Sequence, residues 1–432
     1  MTKKPKYQLY VKTSMVEKED KSLKVLKGAY VITGIKNKNI EDATIFIKGK
    51  NIHEITTRDV EIPSDAQVFD VSGFTVMPGL IDAHMHFSGT RTHKFQERIV
   101  VKSEVRLIRA VKDAEALLKA GFTTVKDCGG INAVYLRDAI NEGTIQGPRI
   151  FAAGYPLSQT FGHADPHYFP LHWAKEKIPT ICDGVDECIK AARIAFREGA
   201  DFIKIMATGG VMSQRDSPTH EGFTFEEIKA IVREAEKVGS YVSAHAEGRK
   251  GMVNAVKAGV RTVAHGFEID DDTAQLLIEK NVVYVPTLSI AFQLATKGKD
   301  VGVVDWALKK IQKFFDMHVK SAKVAYKNGV KFATGTDFGG PPLFKMGTNA
   351  LELKLLVEKI GMSNQEAIIA ATSNAAEACN FERFIGTVSV GKYADLIVVK
   401  GNPLKDINVL LDTNNVRMVF KEGRLEVNKG LN

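Results

Sequence analysis

Apolar, β-branched runs recur through the middle of the chain, separated by longer stretches of mixed polarity. Eight stand out: FTVMPGLIDAH from Phe74, FTTVKDC from Phe122, PRIFAAG from Pro148, DFIKIMAT from Asp201, YVSAHAE from Tyr241, TVAHG from Thr262, VVYVPTL from Val282 and VKFATGTDF from Val330. Each is apolar enough to be buried on both faces, as strands of a helix-covered parallel sheet are. Between them lie amphipathic stretches of helical period: VRLIRAVKDAEALLKAG, VDECIKAARIAFREGA, TFEEIKAIVREAEKVG, RKGMVNAVKAG, DDTAQLLIEKN and VKSAKVAYKNG. Several end in Gly or Asn, the residues that commonly close a helix. Strand and helix alternate from about residue 74 to about residue 340, close to the roughly 250 residues of an eight-fold parallel barrel. The pattern predicts an α/β fold, a (β/α)8 TIM barrel.

Outside that span the pattern shortens to alternating strands and turns: GAYVITG, ATIFIKGKNIHEI and AQVFDVSG before it, ADLIVVKGNP and VRMVFKEGRLEV after it. Neither terminal piece holds enough strands to be stable alone, so the two are expected to meet in one small β-sandwich. The expected division is 1–75 for the first part of the sandwich, 76–384 for the barrel and 385–432 for the remainder.

Composition narrows the class. A chain of 432 residues, 44% hydrophobic and 25% charged, describes a folded protein with a large core. The longest apolar runs, such as NVVYVPTLSIAF, fall short of the roughly 20 residues a bilayer crossing needs, and no membrane association is expected. The first residues, MTKKPKYQLYVKTSMVEKEDKSLK, lack the apolar segment of a secretory signal, which predicts a cytoplasmic protein. Four cysteines, Cys128, Cys182, Cys188 and Cys379, have neither metal-site spacing nor disulfide-scaffold density. The net charge of +8 comes from scattered lysines, so a solvated basic surface is expected rather than a nucleic-acid partner. We expect a homo-oligomer acting on a small-molecule substrate.

The polar exceptions carry the chemistry. His84 and His86 fall at the end of the first strand, Lys204 in the fourth, and His245, His265 and Asp337 at the ends of the fifth, sixth and eighth. The C-terminal strand ends of such barrels carry the active site, so these residues should converge there. Side chains alternate along a strand, which puts His84 and His86 on one side. A single histidine so placed is more often a core residue bonded to a carbonyl. Four imidazoles and a carboxylate at equivalent heights read as metal ligands, with zinc as the expected ion. A lysine among cations would be repelled as well as desolvated. Lys204 is therefore expected to be altered, its neutral amine taking up carbon dioxide to give a carbamate able to bridge two metal ions. A Schiff-base lysine of an aldolase is the rival reading.

The segments PGLIDAHMH, DFIKIMATGGVMS, SAHAEG, TVAHG, ATGTD and GTVSVGKYADLIVVKGNPL together resemble the amidohydrolase superfamily over nearly the whole chain. Within it, LSQTFGHADPH and KIMATGGVMS resemble the branch of Xaa-Pro dipeptidases (prolidases) and imidazolonepropionase-like hydrolases. The resemblance implies that His84, His86, carboxylated Lys204 and Asp337 hold one divalent metal, and that the carboxylysine, His245 and His265 hold a second. It implies hydrolysis of an amide in a dipeptide or N-acyl amino acid, with Asp337 as proton shuttle and His163 at the substrate carbonyl or carboxylate. Two positions depart from the branch. Glu247 stands where proline-dipeptide members have tyrosine, and its charge should be felt by the ligand unless Arg249 pairs with it. Phe161 stands where relatives tend to have Gly and should narrow the pocket. Arg215, in the loop after the fourth strand, is the candidate to bind a substrate carboxylate. Deamination of a heterocycle is the alternative on the same fold, but that chemistry generally lacks the strand-four lysine and places its glutamate three residues after the strand-five histidine; here the spacing is two.

Overall fold

The apolar runs resolve into two kinds of sheet in a computed structural model that describes residues 22–92, 96–167, 169–177 and 180–431. Most of the basic N-terminal stretch read above lies outside the described residues. The central runs form parallel strands, Leu80–Met85, Phe122–Asp127 and Arg149–Ala152 in one sheet, and Ile203–Met206, Val242–Ala246, Thr262–His265 and Val283–Val285 in the other. Six of these seven have every residue buried, as expected for strands covered on both faces.

Backbone hydrogen bonds bridge both gaps between these sheets. On one side Asp201 N–H donates to Ala152 O at 2.7 Å, and Met206 N–H donates to Leu157 O at 3.0 Å. On the other, Ala333 N–H donates to Tyr284 O at 2.9 Å and Ala83 N–H to Thr334 O at 2.8 Å. The run Val330–Phe338, expected as the eighth strand, makes these bonds without forming a regular strand.

Helices pack outside the strands at Ser103–Lys119, Gly184–Arg197, Phe225–Lys237, Arg249–Ala258 and Asp271–Glu279, matching the sequence expectation. Phe225–Lys237 begins with a capping box: the Thr224 side chain accepts from Glu227 N–H while Glu227 reaches back to Thr224 N–H. The expected helix VKSAKVAYKNG is only the end of a longer one, Asp305–Lys327.

Strands from the two chain ends form one mixed sheet, in the order Arg424–Asn428, Val416–Lys421, Leu396–Lys400, Phe74–Pro78, Leu23–Val31, Ile40–Lys48 and Asn51–Thr56, with Gln67–Asp70 also paired to Leu23–Val31. The termini do meet, but in one hydrogen-bonded system of eight strands rather than as two stacked sheets. The seam is antiparallel, with Val398 opposite Val76, and Leu26, Ile45, Val76, Val398 and Phe420 share one apolar core.

Two sequence readings need correction. FTVMPGLIDAH is not one strand: Phe74–Pro78 belongs to the mixed sheet and Leu80–Met85 to a parallel one. The break is Gly79, where a Cβ would lie 2.1 Å from Thr123 Oγ1, so only glycine fits the crossing. NVVYVPTLSIAF holds only the short strand Val283–Val285. Thr287 turns left-handed at φ 55°, and helix Leu288–Lys297 begins directly after it.

Candidate active site

His84 occupies the penultimate position of Leu80–Met85, and His86 follows its end. His245 is penultimate in Val242–Ala246, and His265 closes Thr262–His265. Lys204 sits one position deeper, as the second residue of Ile203–Met206, paired in register with Ser243. Asp337 is carried by the irregular run beside the first strand, its N–H donating to His84 O at 2.6 Å. All six side chains line one cavity of about 100 Å³.

Within this group, ligand-type atoms of His84, His86 and Asp337 lie within 4.8 Å of one another. Asp337 Oδ1 is 3.0 Å from His86 Nε2 and 3.5 Å from His84 Nε2. The remaining two imidazoles sit alongside: the His265 ring is 5.1 Å from that of His84 and 4.5 Å from that of His245. His265 and Asp337 both adopt positive φ, 74° and 58°, a strained conformation that surrounding bonds must hold. The Tyr284 hydroxyl supplies one such bond, donating to His265 O at 2.7 Å.

The histidine tautomers follow from their other ring nitrogens. His86 Nδ1 lies 3.0 Å from Gly129 O, and His245 Nε2 lies 3.0 Å from Gly209 O. A carbonyl only accepts, so these nitrogens carry the proton; His245 Nδ1 is left as a free lone pair, while His86 Nε2 faces the Asp337 carboxylate. Thr287 fixes His265 in the same way. Its hydroxyl donates to Pro286 O at 2.6 Å, so its oxygen accepts from His265 Nδ1 at 2.8 Å. Imidazoles held by their second nitrogen in this manner are the arrangement metal ligands use.

Electrostatics point the same way. Burial, reinforced by neighbouring cationic groups, pushes His84, His245 and His265 well below the usual histidine range. Burial also acts to lower His86, but the hydrogen bond and charge of Asp337 raise it overall. Lys204 is 1% exposed, and its Nζ has no hydrogen-bond partner among the described residues. Burial lowers its pKa, toward the neutral amine. A buried amine without a partner, beside three oriented imidazoles and a carboxylate, fits a site built around cations and a modified lysine.

Four further residues singled out in the sequence divide. His163 lines the cavity, its ring stacked 4.2 Å from that of His245 and its Nδ1 2.8 Å from Ser213 Oγ. Glu247 also lines the cavity and is 4% exposed, with Oε2 unpartnered and Oε1 3.8 Å from His245 Nε2. Arg249 does not pair with it; Arg249 lies 2.7 Å from Asp270 instead. Arg215 is exposed and lies outside the cavity. Phe161 is also outside, 49% exposed and stacked on His167 at 4.9 Å, so it does not narrow the pocket. Its φ of 70° lies in the left-handed region that favours glycine.

Tertiary structure adds residues that no motif flagged. Lys310, on Asp305–Lys327, donates to the carbonyls of Gly210 at 3.2 Å and of Ser213 and Asp216 at 2.6 Å each, pinning the loop after the fourth strand. The Asp216 carboxylate stands 3.5 Å from His163 Nδ1. Burial would raise Asp216, but His163, Ser213 and Lys310 hold it well below the usual carboxylate range. His318 is fully buried in the cavity wall, and its burial lowers it to about 4. Lys310 reads in sequence as one more surface lysine, and His318 as a core histidine.

Comparison with known proteins identifies the family. A model of the amidohydrolase family matches residues 75–425. The chain is 37% identical over 386 residues to an ochratoxinase of Aspergillus niger, covering 82% of this chain and 76% of that protein. An imidazolonepropionase of Geobacillus thermodenitrificans is 25% identical, with 90% of each covered. Among solved structures, a Xaa-Pro dipeptidase with methionine bound in its active site superposes with a TM-score of 0.86 at 37% identity, covering 94% of this chain and all of that one.

Proposed function

The chain belongs to the amidohydrolase family and is a hydrolase of C–N bonds, and from that premise we propose that it cleaves the amide of a dipeptide or N-acyl amino acid at a site for two divalent metal ions. His84, His86, Lys204 in carboxylated form and Asp337 would hold one ion, and the carboxylated Lys204, His245 and His265 would hold the other. Zinc suits a donor set of imidazole nitrogens and carboxylate oxygens. When bound, such a pair of ions lowers the pKa of a water and polarises the scissile carbonyl. The partnerless buried amine of Lys204 carries this reading, because neither a snorkelling lysine nor an ion pair explains it.

The protein groups supply proton transfer and orientation. Asp337 takes the proton of the attacking water on its carboxylate and passes it to the leaving nitrogen. His163, backed by Asp216 and Ser213, orients the carboxylate of the leaving amino acid. With Arg215 exposed and the Lys310 ammonium turned toward loop carbonyls, neither cation is placed in the cavity, which leaves His163 as the residue for that contact. We read the two parallel sheets, with the bridging bonds at residues 152–157 and 331–338, as a (β/α)8 barrel spanning about 80–384, completed by the mixed sheet whose strands lie within 23–78 and 396–428.

The test is Lys204→Ala. Bound metal should fall and hydrolysis of a dipeptide and N-acyl amino-acid panel should be nearly lost, with partial rescue by short carboxylic acids that replace the carbamate. Wild-type-like activity in the variant would rule out the bridging lysine. Trapping of Lys204 by borohydride with a carbonyl compound would favour Schiff-base chemistry instead.

A further inference from the structure

The walls of the cavity are unlike one another. One carries the imidazoles, Lys204 and Asp337; the other is formed by Val211, Met212, Phe267, Ile290, Leu294 and Ile311. These apolar residues come from four places: the loop after Ile203–Met206, the loop after Thr262–His265, helix Leu288–Lys297 and helix Asp305–Lys327. They belong to a hydrophobic cluster of their own, separate from the main core. Val211, Phe267, Leu294 and Ile311 are buried, but Met212 and Ile290 are only partly so, which leaves the cluster open toward the cavity. Apart from Lys204, no lysine or arginine is among the lining residues, and the ammonium of Lys310, next to Ile311, is turned to loop carbonyls.

We propose that this apolar wall is a subsite for the acyl substituent of the substrate, so that the enzyme prefers amino acids N-acylated with a branched or linear alkyl group over dipeptides. The inference rests on the amide-hydrolase reading above and refines it. With the carboxylate of the leaving amino acid at His163, the acyl group and the leaving side chain are the parts of the substrate that can meet the apolar wall, and their chain-length dependences tell them apart. An alkyl chain there covers the exposed faces of Met212 and Ile290 and gains the free energy of leaving water. A dipeptide places its α-ammonium on the acyl side, against apolar side chains, and the carboxyl beside them, that of Glu247, is buried and already accepts from Val211 N–H.

Three measurements on the zinc-loaded enzyme test this. First, for N-acyl derivatives of one amino acid running from acetyl to hexanoyl, kcat/KM should rise about fourfold per methylene until the wall is filled; a flat series overturns the proposal. So does a steep dependence on the amino-acid side chain with none on the acyl group. Second, 4-methylpentanoyl-phenylalanine matches Leu-Phe in shape without the ammonium and should be preferred at least about tenfold. Preference for Leu-Phe overturns the proposal and assigns the unpartnered Oε2 of Glu247 to the ammonium. Third, Ile290→Ala should shift the best chain length upward by one or two carbons, and an unchanged optimum counts against the wall.

Binding of straight-chain carboxylates, acetate to octanoate, gives a readout independent of turnover. Affinity rising with chain length supports the subsite even if no amide of the panel is cleaved, an outcome that would sink only the function reading. Chain-independent binding sinks the subsite.

Discussion

Replacing Lys126 with methionine should stabilise the protein at neutral pH, and should do so less as the pH rises. Lys126 lies in Phe122–Asp127 with no exposed surface, and among the described residues no carboxylate is bonded to its ammonium. Its Nζ donates to Ser243 Oγ at 3.3 Å, Thr262 Oγ1 at 3.1 Å and Ala378 O at 3.3 Å, and sits 4.7 Å from the Phe202 ring centroid. The neighbouring thiols of Cys128 and Cys379 are pushed by burial up to about 11 and about 12, so they are neutral at pH 7. Burial, with further repulsion from Arg261, brings Lys126 from 10.5 down to about 8. That drop corresponds to about 3 kcal/mol of cost to the fold while the amine is charged.

Below pH 8 the amine is protonated in both the folded and unfolded chain, and the full cost is present. Between pH 8 and 10.5 the unfolded chain binds more protons than the folded one, so wild-type stability climbs with pH. Methionine fills a similar volume without charge. Ser243 and Thr262 remain bonded to each other at 2.6 Å. Only the Ala378 carbonyl loses a donor, at about 1 kcal/mol. The net gain at pH 7 is about 2 kcal/mol, or a rise in Tm of about 4 °C at roughly 2 °C per kcal/mol for a long chain. Thermal and denaturant unfolding of both proteins at pH 7, 8.5 and 10 provides the assay. A variant less stable than wild type at pH 7, or a difference that does not shrink with pH, would refute the reasoning.

Three further outcomes are expected. Thr287→Val keeps the shape but removes the acceptor of His265 Nδ1, so zinc affinity should fall about 10- to 100-fold in chelator competition; unchanged affinity would show that the tautomer is fixed some other way. Lys310→Met frees the carbonyls of Gly210, Ser213 and Asp216, and should bring faster proteolysis within residues 210–219 and a several-fold higher KM with a smaller change in kcat. Equal proteolysis rates would show that Lys310 does not restrain the loop. Gly335→Ala would put a Cβ 2.4 Å from Val285 Cγ1 and 2.8 Å from His84 Cβ; it should cost about 1 to 3 kcal/mol and reduce bound metal by displacing His84, and a wild-type melting curve with full metal content would contradict that packing.

What the sequence determined by itself is the periodic part of the structure. Burial on both faces left unbroken β-branched runs, helices left stripes of period 3.6, and polar residues at the ends of apolar runs marked His84, His86, Lys204, His245, His265 and Asp337, which the fold brings to one cavity. These features are legible because they are local and repeat. Tertiary structure decided what depends on a neighbour distant in the chain. Gly79 splits an apparently continuous strand because Thr123 crosses it, and the terminal strands form one sheet because Leu396–Lys400 pairs with Phe74–Pro78. Within one loop Asp216 is buried against His163 while Arg215 faces solvent, and Lys310, from a helix about a hundred residues later, holds that loop in place. A lysine leaves the same mark in a sequence whether it meets water or a carbonyl, since its bonds are set by the packing of elements that carry no record of one another locally.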